Sequence, residues 1–118
     1  METNQNINQN KKLILFVDDS IEILDMVSIY LEDHYEVVTA TNGLDALEKL
    51  INLKKNNIDV SMIITDEDMP MMSGSDFIDK LRDYPEFNTI PKIKITGSNH
   101  EESKNTVISN LLKKITDS

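Results

Sequence analysis

Apolar residues come in two rhythms along this chain. Two short runs, L-I-L-F-V at 13–17 and V-S-M-I-I-T at 60–65, are apolar almost without a break, which is how strands covered on both faces read. Y-E-V-V-T-A at 35–40 is a third strand pattern. In P-K-I-K-I-T at 91–96, Lys92 and Lys94 alternate with Ile93 and Ile95, and this period of two predicts a fourth strand with one face in water. Between the strands the spacing turns helical. Ser20 can cap a helix running towards Asp33, with Ile21, Leu24, Val27 and Leu31 along one side. Leu44, Leu47, Leu50 and Ile51 follow the Asn42-Gly43 turn and mark a second helix. Ser73 can cap a third, with Phe77, Ile78 and Leu81 facing inward, and Asp83-Tyr84-Pro85 ends it because the residue before a proline leaves the helical region. The last apolar stretch, V-I-S-N-L-L-K-K-I at 107–115, fits either the second half of a helix or a short fifth strand.

Strands alternating with helices predict an α/β fold, a doubly wound, mainly parallel sheet with helices on both faces and hence three layers. Open sheets of this kind bind ligands beyond the carboxyl ends of their strands. Three strand ends then bring Asp18, Asp19, Asp66 and Thr96 to one edge.

Composition narrows the reading. A chain of 118 residues is one domain. Residues 1–11, rich in Asn and Gln, are expected to be a flexible tail, with a single domain over 12–118. A formal charge of −9 disfavours direct nucleic-acid binding and favours protein partners or cations. Cysteine is absent, which rules out thiolate chemistry and disulfides. The apolar runs are strand-length and no signal-peptide pattern precedes them, so a cytoplasmic location without membrane insertion is expected.

Carboxylates crowded together repel one another, and a divalent cation neutralises them. Oxygen ligands on loops select Mg²⁺ or a similar hard ion such as Mn²⁺. A carboxylate beside such an ion can attack phosphorus and form an aspartyl phosphate. Thr96 supplies a hydroxyl, and Gly97 leaves the approach open.

V-D-D at 17–19, I-I-T-D-E-D-M-P-M-M-S-G around Asp66, and I-P-K-I-K-I-T-G ending at Gly97 together resemble the receiver domain of two-component response regulators, with its flavodoxin-like fold. The resemblance implies that Asp66 is the phosphoacceptor, with Mg²⁺ as cofactor. Asp19 would be a direct metal ligand, Asp18 would hold a metal-bound water, and the backbone carbonyl of Asp68 would be a further ligand. Thr96 would bind the phosphoryl group. The implied partners are a sensor histidine kinase or a histidine phosphotransfer protein, and a downstream protein. Catalysis would extend at most to self-phosphorylation and autodephosphorylation.

The C-terminal part departs from that family. No Lys-Pro follows Gly97, so the fifth helix is expected to be missing, and part of the fifth strand with it. Either the chain ends after its fourth helix, or N-L-L-K-K-I is a shortened fifth strand that supplies the family's lysine from Lys113 or Lys114, with Lys113 preferred. A missing covering helix would also account for a wet, lysine-bearing face on the fourth strand. Lys94 can reach towards the phosphate, although such side chains usually extend into water. Two other functions compete. A degenerate receiver would bind proteins without accepting phosphate, and a haloacid-dehalogenase-like phosphatase would use Asp66 and Asp68 as a D-x-D pair. Glu67, His34, His100 and the methionines read as surface or packing residues.

Overall fold

A computed structural model describes residues 10–96 and 103–117. The expected alternation is present as β1 (Leu13–Val17), α1 (Ile21–Leu31), β2 (Glu36–Ala40), α2 (Gly43–Lys55), β3 (Met62–Asp66), α3 (Gly74–Lys80), β4 (Lys92–Ile95) and α4 (Lys104–Thr116). Two single turns of 3-10 helix, Leu81–Asp83 and Pro85–Phe87, link α3 to β4. Each α-helix starts at a polar cap. Ser20, Asn42, Ser73 and Ser103 accept hydrogen bonds from Ile23, Asp45, Asp76 and Thr106, each satisfying an amide that the helix leaves open.

The four strands form one parallel sheet in the order β2-β1-β3-β4. Every residue of β1 is buried, as its unbroken apolar run requires in a central strand. Ile14 and Phe16 look into one core with α1 and α4, while Leu15 and Val17 look into a second with α2 and α3. The sheet therefore lies between two helical layers, as expected of a flavodoxin-like fold.

Residues 107–115 lie wholly within α4, so N-L-L-K-K-I is helix and not a fifth strand. The spacing explains the choice: Ile108, Leu112 and Ile115 fall on one helical side and are all buried, whereas alternate burial in a strand would split them between two faces.

The register also locates the wet face of β4. Lys92 sits opposite Ile63 and Lys94 opposite Thr65, whereas Ile93 and Ile95 sit opposite Ile64 and Asp66. Residues paired across a sheet share a face. The isoleucines thus join the core covered by α1 and α4. The lysines lie on the α2 and α3 side, where Lys92 Nζ donates to the Phe87 and Ile90 carbonyls and Lys94 Nζ donates to Ser75 of α3, all at 2.8 Å. The expected wet face is therefore only partly open, with Lys92 half-buried and Lys94 exposed. It is the opposite face that α4 covers.

Candidate functional site

The ends of β1 and β3 place three carboxylates together. Asp18 and Asp19 follow β1 directly, and Asp66 is the last residue of β3. One oxygen from each lies within 4.8 Å of the other two. Asp18 is fully buried and Asp66 is 2% exposed, while Asp19 is exposed. Local geometry holds the buried pair. Asp18 N donates to the Ala40 carbonyl at 3.0 Å, and its Oδ1 accepts from Ser20 N at 2.9 Å. Gly74 is necessary beside Asp66, because a Cβ there would collide with the Asp66 carbonyl.

The countercharge comes from a residue that sequence patterns did not single out. Lys104, the first residue of α4, places Nζ 2.6 Å from Asp66 Oδ2 and 2.9 Å from Asp18 Oδ2. Its only sequence signal was Ser103, a good helix cap one residue upstream of a helical apolar pattern. The preferred candidate, Lys113, lies nine residues further along α4, about 13 Å at 1.5 Å per residue, and it is exposed in the last turn. The structure does not bring Lys113 to the cluster.

Burial pushes the Asp66 carboxyl above its usual range. The Lys104 hydrogen bond and charge and the Asp68 N–H pull it back, and the charge of Asp18 adds to the upward shift. Burial opposes protonation of Lys104, but the hydrogen bonds and charges of Asp66 and Asp18 outweigh it and raise the ammonium above its ordinary value. Asp18 Oδ2 has the Lys104 ion pair but no aligned hydrogen bond. A buried carboxylate oxygen with spare capacity, in an all-oxygen donor set, suits a hard cation.

The remaining candidates sit around this cluster. Thr96 directly follows β4 and is exposed. Since Ile95 pairs with Asp66, Thr96 stands one residue beyond the level of Asp66. Gly97 and His100 lie outside the described residues. The Asp68 side chain is exposed, and its backbone N–H faces the Asp66 carboxylate. Glu67 and Lys94 turn instead towards Ser75 in α3. Among the described residues no helix is long and apolar enough to cross a membrane.

Comparison with known proteins agrees with this geometry. The family model for the response regulator receiver domain matches residues 14–114. The chain is 31% identical over 109 residues to hybrid signal transduction histidine kinase D of Dictyostelium discoideum, covering 92% of this chain and 7% of that protein. It is 36% identical over 85 residues to chemotaxis protein CheY1 of Helicobacter pylori, covering 70% of this chain and 65% of that one. It thus spans less than two thirds of these curated relatives. Among solved structures, the chemotaxis response regulator CheY4 of Vibrio cholerae superposes with a TM-score of 0.67 at 28% identity, over 87% of this chain and 98% of that one. With the family model spanning nearly the whole chain and the acidic cluster at the strand ends, this chain belongs to the response regulator receiver domain family.

Proposed function

We propose that the chain takes a phosphoryl group onto Asp66 from the phosphohistidine of a sensor kinase or a histidine phosphotransfer protein. One observation carries this reading: a nearly buried carboxylate at a strand end, flanked by two further acids and paired with a lysine. An Asp66 oxygen attacks phosphorus, the P–N bond of the donor breaks, and the imidazole leaves with its bonding electrons and takes up a proton. The product is an acyl phosphate on Asp66.

Asp19 and Asp66 would ligate Mg²⁺ or Mn²⁺ together with the Asp68 carbonyl, and Asp18 would hold a water of that ion. Such an ion neutralises charge on the phosphoryl oxygens and on the acid cluster. Lys104 is the protein's own cation at this place. Once Asp66 is phosphorylated, the Lys104 ammonium can pass from the carboxylate to a phosphoryl oxygen, which makes α4 the element most directly tied to the modification. Thr96 would donate its hydroxyl to the phosphoryl group.

The test is incubation with acetyl phosphate and Mg²⁺, and separately with a phosphohistidine donor, followed by intact-mass measurement. A gain of one phosphoryl group that chelation or Asp66→Asn abolishes is the expected result. No gain with either donor would overturn the proposal and favour a protein-binding role without phosphotransfer.

A further inference from the structure

Glu67 is pinned on every side. Its N–H donates to the Ile95 carbonyl at 2.9 Å, and its own carbonyl accepts from Gly74 N at 3.0 Å. Its Oε1 accepts from both Ser75 N and Ser75 Oγ at 2.8 Å. Lys94 Nζ donates to the same Ser75 oxygen at 2.8 Å and stands 3.9 Å from Glu67 Oε1. The hydroxyl is used in both directions, giving its proton to the carboxylate and accepting one from the ammonium. Ser73 accepts from Asp76 N at 3.0 Å, so Glu67 shares the start of α3 with it, its carbonyl and carboxylate taking the Gly74 and Ser75 amides.

What this arrangement fixes is the peptide plane between Glu67 and Asp68. Its carbonyl end is held by Gly74 N, and its N–H end is the donor that faces the Asp66 carboxylate. Turning that plane would swing the Asp68 N–H away from the nucleophile. Because the Ser75 contact binds the start of α3 to the Glu67 side chain, it holds the Gly74 donor in place as well. Lys94 extends the same tie to β4, two residues before Thr96.

We propose that Glu67, Ser75 and Lys94 form a latch that orients the Asp66 carboxylate through the Glu67–Asp68 peptide, with Ser75 and Lys94 acting as positioning residues for phosphoryl acceptance. The latch rests on the reading of Asp66 as phosphoacceptor. It adds the means by which the nucleophile is aimed, from the face of the sheet opposite Lys104. Loss of a charge-assisted hydrogen bond loosens the peptide plane without removing any group that touches the phosphoryl donor.

Three variants and two readouts test this. Ser75→Ala is expected to slow phosphoryl gain from acetyl phosphate at saturating Mg²⁺ about fivefold, and to speed hydrogen exchange of the Asp68 amide by a similar factor. Lys94→Met is expected to give about a twofold effect in both, and Ser75→Thr, which keeps the hydroxyl, to restore the native values. A purely structural role for Ser75 would lower the unfolding midpoint and leave the rate of the folded fraction unchanged. If Ser75→Ala fails to fold, Lys94→Met and Ser75→Thr carry the comparison. Native rates and native Asp68 exchange in folded Ser75→Ala and Lys94→Met would overturn the latch. If the wild-type chain gains no phosphoryl group, the phosphoacceptor reading fails, and Asp68 exchange still decides whether the latch holds the peptide.

Discussion

The two faces of the β3–β4 pair each carry a lysine set against a carboxylate, and they use it differently. On the α1 and α4 side, Lys104 is 31% exposed and meets two buried acids at 2.6 and 2.9 Å. On the α2 and α3 side, Lys94 lies 3.9 Å from the partly exposed Glu67 and reaches it through a serine hydroxyl. Water screens the second pair, so its charge contributes little by itself, and its value lies in the geometry of the hydroxyl bridge. The first pair is withdrawn from water, and removing Lys104 leaves two buried acids without their counter-ion. The sheet thus separates two tasks. Under the proposed phosphoacceptor role, one side supplies the charge that the chemistry needs and the other holds the loop that aims the nucleophile.

Substitutions on the charged face should have the larger effects. Asp66→Asn should abolish phosphoryl gain altogether, as intact mass will show, while leaving a folded and somewhat more stable protein, because it removes one of three crowded acids. Next comes Lys104→Met. It should slow phosphoryl acceptance about a hundredfold in single-turnover assays, the order expected for loss of one preorganised charge. In metal-free buffer it should also cost about 2 kcal/mol of stability to urea, since Asp18 and Asp66 lose their counter-ion. Adding Mg²⁺ should recover part of that stability by binding the same acids. Equal urea midpoints for wild type and Lys104→Met without metal would mean that the ion pair contributes nothing.

The pH dependence separates the faces further. Lys104 is raised above its ordinary 10.5 by Asp66 and Asp18, so its native form holds the proton more tightly than the unfolded chain does. The stability it contributes is complete below pH 10.5 and is lost as pH climbs through the higher native value. Urea titrations should therefore show a steeper alkaline loss in wild type than in Lys104→Met. Asp66 has the opposite consequence. Burial lifts its carboxyl above 3.8, so protonation favours the native state and this group's contribution improves as pH falls through the raised value. Asp66→Asn should remove that acid-side gain.

Legibility followed the range of the forces involved. Asp18, Asp19 and Asp66 were readable because doubly buried strands appear as unbroken apolar runs, and acids directly after such runs stand out. The alternation of Lys92 with Ile93 placed lysines and isoleucines on opposite faces, but Lys92 and Ile93 are both half-buried and only Lys94 is exposed. Which side the lysines face depended on the pairing of Lys92 with Ile63, which no local pattern contains. Lys104 was hidden in the polar stretch S-N-H-E-E-S-K-N, where a charged residue looks like loop. Its importance comes from α4 packing beside α1 in a shared core, a tertiary fact. The lysine sought in a strand arrived at the start of a helix.

That displacement supplies the smallest expected effect and the cleanest control. Lys113 and Lys104 are on one helix, so a substitution at either alters the same element, yet only Lys104 touches the acids. Lys113→Ala removes an exposed charge in the last turn, where a cation favours the helix dipole by about 0.3 kcal/mol, while alanine's better helix propensity offsets part of that loss. Its urea midpoint should stay within about 0.5 kcal/mol of wild type, and its phosphorylation rate within about twofold. A rate loss at Lys113 as large as that at Lys104 would break the contrast between the two ends of α4, because it would require the helix's far end to reach the site.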